Sequence, residues 1–100
     1  MSKKLVIQYH ESYLAMADSA AMPYAVNALK HFDSQNHDFH VFISNELVIT
    51  AFRILVKENK INHKDIIVRS NFLDHLIDKD GRFISYPATF FHYDLLSRLL

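Results

Sequence analysis

FHVFISNELVITAFRILVKENK, residues 39–60, decides the fold class of this chain. Phe39 to Ser44 is nearly continuous in apolar character and short, as a buried strand is. Ser44 or Asn45 then supplies a natural helix N-cap. From Glu46 to Lys60 the apolar residues Val48, Ala51, Phe52 and Leu55 recur at helical spacing, widened by Leu47, Ile54 and Val56. Glu46 at the start and Lys57 and Lys60 at the end complement the helix dipole. A strand running directly into an amphipathic helix is half of a strand–helix–strand unit, which implies parallel strand pairing.

The flanking sequence supplies the rest of that pattern. Lys4 to Tyr9 (KLVIQY) is a β-branched run expected to form the first strand. His10 to Ala21 is irregular and reads as a loop with room for a helical turn. Pro23 suits the first turn of a helix, and Tyr24, Ala25, Ala28, Leu29 and Phe32 continue it at helical spacing. Asp33 to Asp38 is polar and turn-rich. Downstream, Asp65 to Arg69 (DIIVR) is expected as a third strand. Asp78-Lys79-Asp80-Gly81 is a turn signal between two short extended runs within Leu76 to Ile84. Tyr93 to Leu100 reads as a terminal helix, separated by Pro87 from what precedes it. The expectation is one α/β domain over residues 1–100. It is a small three-layer unit with a mainly parallel sheet of three or four strands, about three helices and right-handed crossovers.

Composition limits what such a domain can do. Gly81 is the only glycine in 100 residues. Phosphate-cradling loops need several, because backbone N–H groups must approach the anion closely and some φ angles must be positive. Neither a Walker A loop nor a dinucleotide fingerprint can be written with one. Lys+Arg and Asp+Glu both number 11, so the net charge is zero and no basic excess points to direct nucleic-acid binding. Half of the residues are hydrophobic, and a neutral apolar-rich domain tends to self-associate or hold a partner. There is no cysteine, hence no disulfide, thiolate metal site or cysteine nucleophile. No long apolar region follows Met1-Ser2-Lys3-Lys4, and no run approaches the roughly 18 apolar residues of a membrane span. A cytoplasmic protein with no membrane association is expected.

Chemistry-bearing residues gather where strands end. His10 and Glu11 follow the first strand, with Gln8 just inside it, and Ser44 and Asn45 follow the second. Ligands of parallel sheets bind at such carboxyl ends, so these five form the candidate interaction site. A Ser/His/Glu hydrolase could be assembled from them, but the glycine-flanked elbow that exposes a nucleophilic serine is missing. Helix capping is the competing role for Ser44 and Asn45. His37 and His40 are three apart at a loop-to-strand junction, where the spacing turns side chains to opposite sides and not onto one metal. Tyr9, Tyr13, Tyr24, Phe39, Phe90, Phe91 and Tyr93 lack interleaved basic residues and are expected in the core or at a partner contact.

The order of these segments resembles the C-terminal lobe of ABC-type AAA ATPases. Leu5-Val6-Ile7-Gln8-Tyr9-His10-Glu11-Ser12-Tyr13-Leu14 is similar to that family's Walker B strand and following loop. Val41-Phe42-Ile43-Ser44-Asn45-Glu46 falls where the family has its switch strand. The helix Leu47 to Lys60, with Ile61 after it, and Asp65-Ile66-Ile67-Val68 resemble the segment and strand after the switch. Gly81-Arg82-Phe83-Ile84-Ser85-Tyr86-Pro87 with Phe90-Phe91 looks like a closing signature of the overcoming-lysogenisation-defect-like and defence-associated members. Against that pattern, Gln8 stands where the magnesium-liganding Asp would be, Tyr9 where the catalytic Glu would be, and Ser44 where the switch His would be. Gln lacks the charge that holds Mg²⁺ beside phosphate, and Tyr is no general base at neutral pH. The resemblance therefore implies a degenerate lobe with no catalytic residue, cofactor or metal. Its expected role is to bind, complete or inhibit a protein partner, or to form a homo-oligomer, in a phage or defence setting. The alternative is a small α/β domain that binds or hydrolyses a small molecule at the strand ends.

Overall fold

The computed structural model describes residues 3–84, and the structural statements below concern these residues. Strand β1 spans Leu5–Tyr9, helix α1 Ala21–Asp33, strand β2 Phe39–Ile43 and helix α2 Glu46–Lys57. Strands β3 (Ile66–Ser70) and β4 (Leu73–Leu76) follow. The sheet order is β2-β1-β3-β4. Strand β1 is central and pairs in parallel with β2 (Ile7 beside Val41) and with β3 (Ile7 beside Val68). Strand β4 runs antiparallel to β3, with Arg69 opposite Asp74. The chain is α/β as expected, but the sheet is mixed and not mainly parallel throughout. The described residues hold two helices, and the expected helix Tyr93 to Leu100 lies outside them.

Alternation along the strands explains the layering. Leu5 and Ile7 of β1, Val41 and Ile43 of β2, and Ile66 and Val68 of β3 point to one face and join one core. Ala25, Ala28, Leu29 and Phe32 of α1 and Val48, Ala51, Phe52 and Leu55 of α2 close over them. Burying a side chain such as Phe52 or Val48 contributes about 1.5–3 kcal/mol. The two helices also pack on each other, so both lie on the same side of the sheet. Among the described residues this makes two layers where three are expected, and the helix expected at Tyr93 to Leu100 lies outside them. In β2 the apolar run misled: Phe42 is 53% exposed and His40 is exposed, both on the opposite face. Apolar content alone does not distinguish a doubly covered strand from an edge strand carrying an outward phenylalanine. The connections from β1 to β2 and from β2 to β3 travel in opposite directions over one face, so they have opposite hands. One crossover therefore departs from the right-handed expectation.

Boundaries follow from local chemistry. Helix α1 begins at Ala21, two residues before Pro23, whose missing N–H lies in a first turn that has no partner for it anyway. Helix α2 stops at Lys57, short of the expected Lys60, because Asn59 adopts a φ of 61°. The Asn59 N–H donates to the Val56 carbonyl at 3.0 Å and the Lys60 N–H to the Leu55 carbonyl at 2.9 Å. This closes the helix in the paired pattern usually built on glycine.

The Asp78–Arg82 turn appears where the sequence placed it. The Asp78 N–H donates to the Arg82 carbonyl at 2.8 Å, and Ile77 pairs with Phe83. Arg53 of α2 holds this turn: it is fully buried, its Nε donates to the Gly81 carbonyl at 2.7 Å, and its guanidinium lies 5.0 Å from the Phe83 ring centre. Gly81 has a φ of 79°, and a Cβ there would collide with the Arg53 carbonyl oxygen. Gly81→Ala therefore strains the backbone and pushes the turn off α2. Chemical denaturation is expected to show a loss of about 2–4 kcal/mol, and an unchanged midpoint would refute the tight seat.

Candidate functional site

The strand-end residues divide into two groups. His10, one residue past β1, still donates its N–H to the Ile43 carbonyl at 3.0 Å. Its ring then caps a turn: Nδ1 accepts the Ser12 N–H at 3.0 Å and lies 2.6 Å from Ser12 Oγ. A backbone N–H can only donate, so Nδ1 is the acceptor and the neutral ring carries its proton on Nε2. Ser44 donates its hydroxyl to the Leu14 carbonyl at 3.1 Å. Asn45 is the α2 N-cap, its Oδ1 accepting the Leu47 N–H at 2.9 Å. Its Nδ2 donates to the Met16 carbonyl at 3.1 Å and to Asp18 Oδ1 at 2.7 Å. Ser44 and Asn45 thus pin the segment between β1 and α1 against the start of α2. Ser44 and His10 are engaged elsewhere and share no hydrogen bond with each other.

Gln8 belongs to neither cluster. Successive strand residues alternate faces, and Gln8 lies opposite the helices with its Nε2 3.1 Å from His40 Nδ1. Glu11 is exposed beside the β1 end. His37 Nδ1 meets its neighbour's backbone at the Asp38 carbonyl, and among the described residues no group of acidic, His or Cys side chains could hold a metal ion.

Tyr9 and Glu46 form a pair that the sequence did not flag. Tyr9 has the inward parity of Leu5 and Ile7, which carries its ring towards the start of α2. Burial raises its hydroxyl above the ordinary 10.0, assisted by the Glu46 and Glu11 charges and by its hydrogen bond to Glu46. At neutral pH Tyr9 is therefore a donor to a carboxylate and cannot serve as a base. The inward parity was the one available signal for its role.

The same end of the sheet carries a rim of apolar side chains. Leu14 is 92% exposed, and Tyr13 packs edge-to-face on Phe42 with ring centres 5.5 Å apart. Between β3 and β4 lies a two-residue turn, Asn71-Phe72, with φ values of 53° and 63°. Asn suits such a position, but a bulky residue at positive φ is a rare, costly choice where glycine is usual. Phe72 is nonetheless 100% exposed, with Leu73 exposed beside it. With no glycine in the turn, the sequence carries no hairpin signal, so β4 was not foreseen. Of the aromatics considered from sequence, Tyr9, Tyr24 and Phe39 pack partly against the core. Phe90, Phe91 and Tyr93 lie outside the described residues.

The candidate residues do not line the depression beyond the C-terminus of α2, which is formed by Val56, Ile61, His63, Lys64 and Lys79 among others. No helix among the described residues is long and apolar enough to cross a membrane. Comparison of the chain with protein-family models, curated proteins and solved structures finds no match.

The raised Tyr9 value has a definite sign. The folded state holds this proton more tightly than the unfolded chain, so its contribution is complete below pH 10.0 and is lost as pH rises through the raised value. Tyr9→Phe should cost about 1 kcal/mol at neutral pH by leaving Glu46 without its donor. It should also flatten the alkaline decline in denaturation midpoint, and identical alkaline slopes for the two proteins would contradict the pairing.

Proposed function

We propose that this chain is a non-catalytic protein-interaction module, a degenerate lobe of the ABC-type AAA ATPase kind that binds, completes or inhibits a protein partner. Phe72 carries the proposal. A chain shaped for stability alone places glycine at the second position of such a turn, because a side chain at positive φ costs roughly 1–2 kcal/mol. Here that position presents a fully exposed aromatic ring at the tip of a hairpin. Backbone strain held at an exposed position is a feature of functional sites, and aromatic side chains are the usual anchors of protein interfaces. Leu73, Leu14 and Tyr13 add apolar surface at the same end of the sheet.

Zero net charge supports a protein partner over direct nucleic-acid binding. The setting that goes with this reading is cytoplasmic. The resemblance to defence-associated ATPases supports a complete ATPase, or a protein that meets one, as the partner class. Gln8 and Tyr9 at the family's acidic positions support a lobe without catalysis, cofactor or metal.

A second possibility, binding or hydrolysis of a small molecule at the strand ends, draws on the 2.6 Å contact between Ser12 Oγ and His10 Nδ1. That nitrogen also accepts the Ser12 N–H, and no carboxylate among the described residues bonds to the ring. The contact therefore suits a turn better than an activated nucleophile, which needs its base oriented by a third group.

Phe72→Gly separates binding from folding. The variant should gain roughly 1 kcal/mol of stability by relieving the positive φ. Immobilised in lysate beside the parent chain, it should lose the protein that the parent retains. A partner set that does not change would refute the role of Phe72, and calorimetric binding of Mg-ATP by the parent would refute the non-catalytic assignment.

A further inference from the structure

Among the described residues strand β2, Phe39-His40-Val41-Phe42-Ile43, is an edge strand without the devices that normally guard an edge. It contains no lysine or other charged residue, no proline and no glycine, and it pairs with β1 in unbroken register from Phe39 to Ile43. Natural edge strands are usually protected by such charges, prolines or bulges, because their free N–H and C=O groups template pairing with another chain. The opposite edge is different. Strand β4 has four residues and includes Asp74, and its end is covered where the Ile84 N–H donates to the Leu76 carbonyl at 3.0 Å.

The main-chain groups of β2 that have no partner among the described residues can be named. The Phe39 N–H donates to the Lys4 carbonyl at 2.9 Å, and the Ile43 carbonyl accepts from the His10 N–H at 3.0 Å. Main-chain groups alternate sides along a strand, so Phe39, Val41 and Ile43 face β1 while His40 and Phe42 turn their N–H and C=O groups outward. Both outward residues are exposed.

We infer that β2 pairs antiparallel with β2 of a second copy of this chain, joining two sheets across a two-fold axis at Val41. Antiparallel self-pairing is the arrangement that closes as a symmetric dimer, since each copy presents the same strand to the other. In this register His40 exchanges both main-chain hydrogen bonds with the second copy's Phe42, and their side chains lie together on the sheet face opposite the helices. Phe39 meets Ile43, and Asp38 meets Ser44, so no like charges oppose one another. The zero net charge adds no long-range repulsion between copies.

Sedimentation of the full chain over a wide concentration range tests the pairing, together with residue-resolved amide exchange. The expected result is a species of twice the mass of one chain, with the His40 and Phe42 amides protected in proportion to its population. Phe42→Lys places like charges beside the seam and His40→Pro removes an outward donor without touching the main-chain bonds to β1, at the cost of the side-chain contact with Gln8; each should return the mass to that of one chain. The pairing is overturned by a monomer at every concentration, by a dimer whose His40 and Phe42 amides exchange at the monomer rate, or by a folded variant that dimerises as the parent does. Amide exchange on the parent decides the matter if a variant fails to fold. Phe72→Gly leaves β2 intact, so failure of this pairing and failure of the Phe72 contact are told apart.

Discussion

Both helices must bury their apolar faces on the same side of a sheet whose central strand is β1. Leu5 and Ile7 are fully buried beneath them, flanked by Val41 and Ile43 on one side and Ile66 and Val68 on the other. Most of the remaining architecture follows from this arrangement. The strand order leaves β2 at an edge, and with the helices on one face its alternate residues His40 and Phe42 face away from the core. Tyr9, with the same inward parity, is brought to the start of α2, where Glu46 meets its hydroxyl.

The strand carboxyl ends illustrate how much of a candidate site can be scaffolding. Asn45 caps α2 and holds Met16 and Asp18, while Ser44 holds Leu14. These contacts fix the long segment between β1 and α1, which has little regular structure of its own. His10 does the same for the turn through Ser12. A polar residue at such an end satisfies backbone groups first, because unpaired buried N–H and C=O groups cost more than a hydrogen bond returns. What is left over is apolar: Leu14, Tyr13 and Phe72 project from the same end without a place in the core.

Arg53 and Gly81 couple the end of the described chain to the core. A buried guanidinium is costly unless its donors are used, and here one donor meets the Gly81 carbonyl while the cation lies over Phe83. The single glycine of the chain is therefore spent on a close approach between a turn and a helix, not on a phosphate loop. Its role is structural, and its position agrees with the absence of the glycines that nucleotide chemistry would need.

Periodicity and local chemistry in the amino-acid order were enough for the α/β class, strands β1, β2 and β3, both described helices, the Asp78–Arg82 turn and an N-cap at Ser44 or Asn45, a role that falls to Asn45. Each rests on a local rule: alternation, helical spacing, cap chemistry or a glycine turn. Features that depend on distant segments were not legible. The antiparallel β4 was hidden because Asn71-Phe72 makes its turn without glycine. The one-sided packing of the helices was hidden because an apolar run such as FHVFI does not state which of its faces is covered. Gln8 and His10 lie two residues apart and looked like one site, yet Gln8 turns to the face opposite the helices while His10 caps a turn beyond the strand. The Tyr9–Glu46 pair and the Arg53–Gly81 contact join residues 37 and 28 positions apart. Such pairs form only when the whole sheet and its helices are in place, because only burial brings those partners together and excludes the water that would otherwise satisfy them.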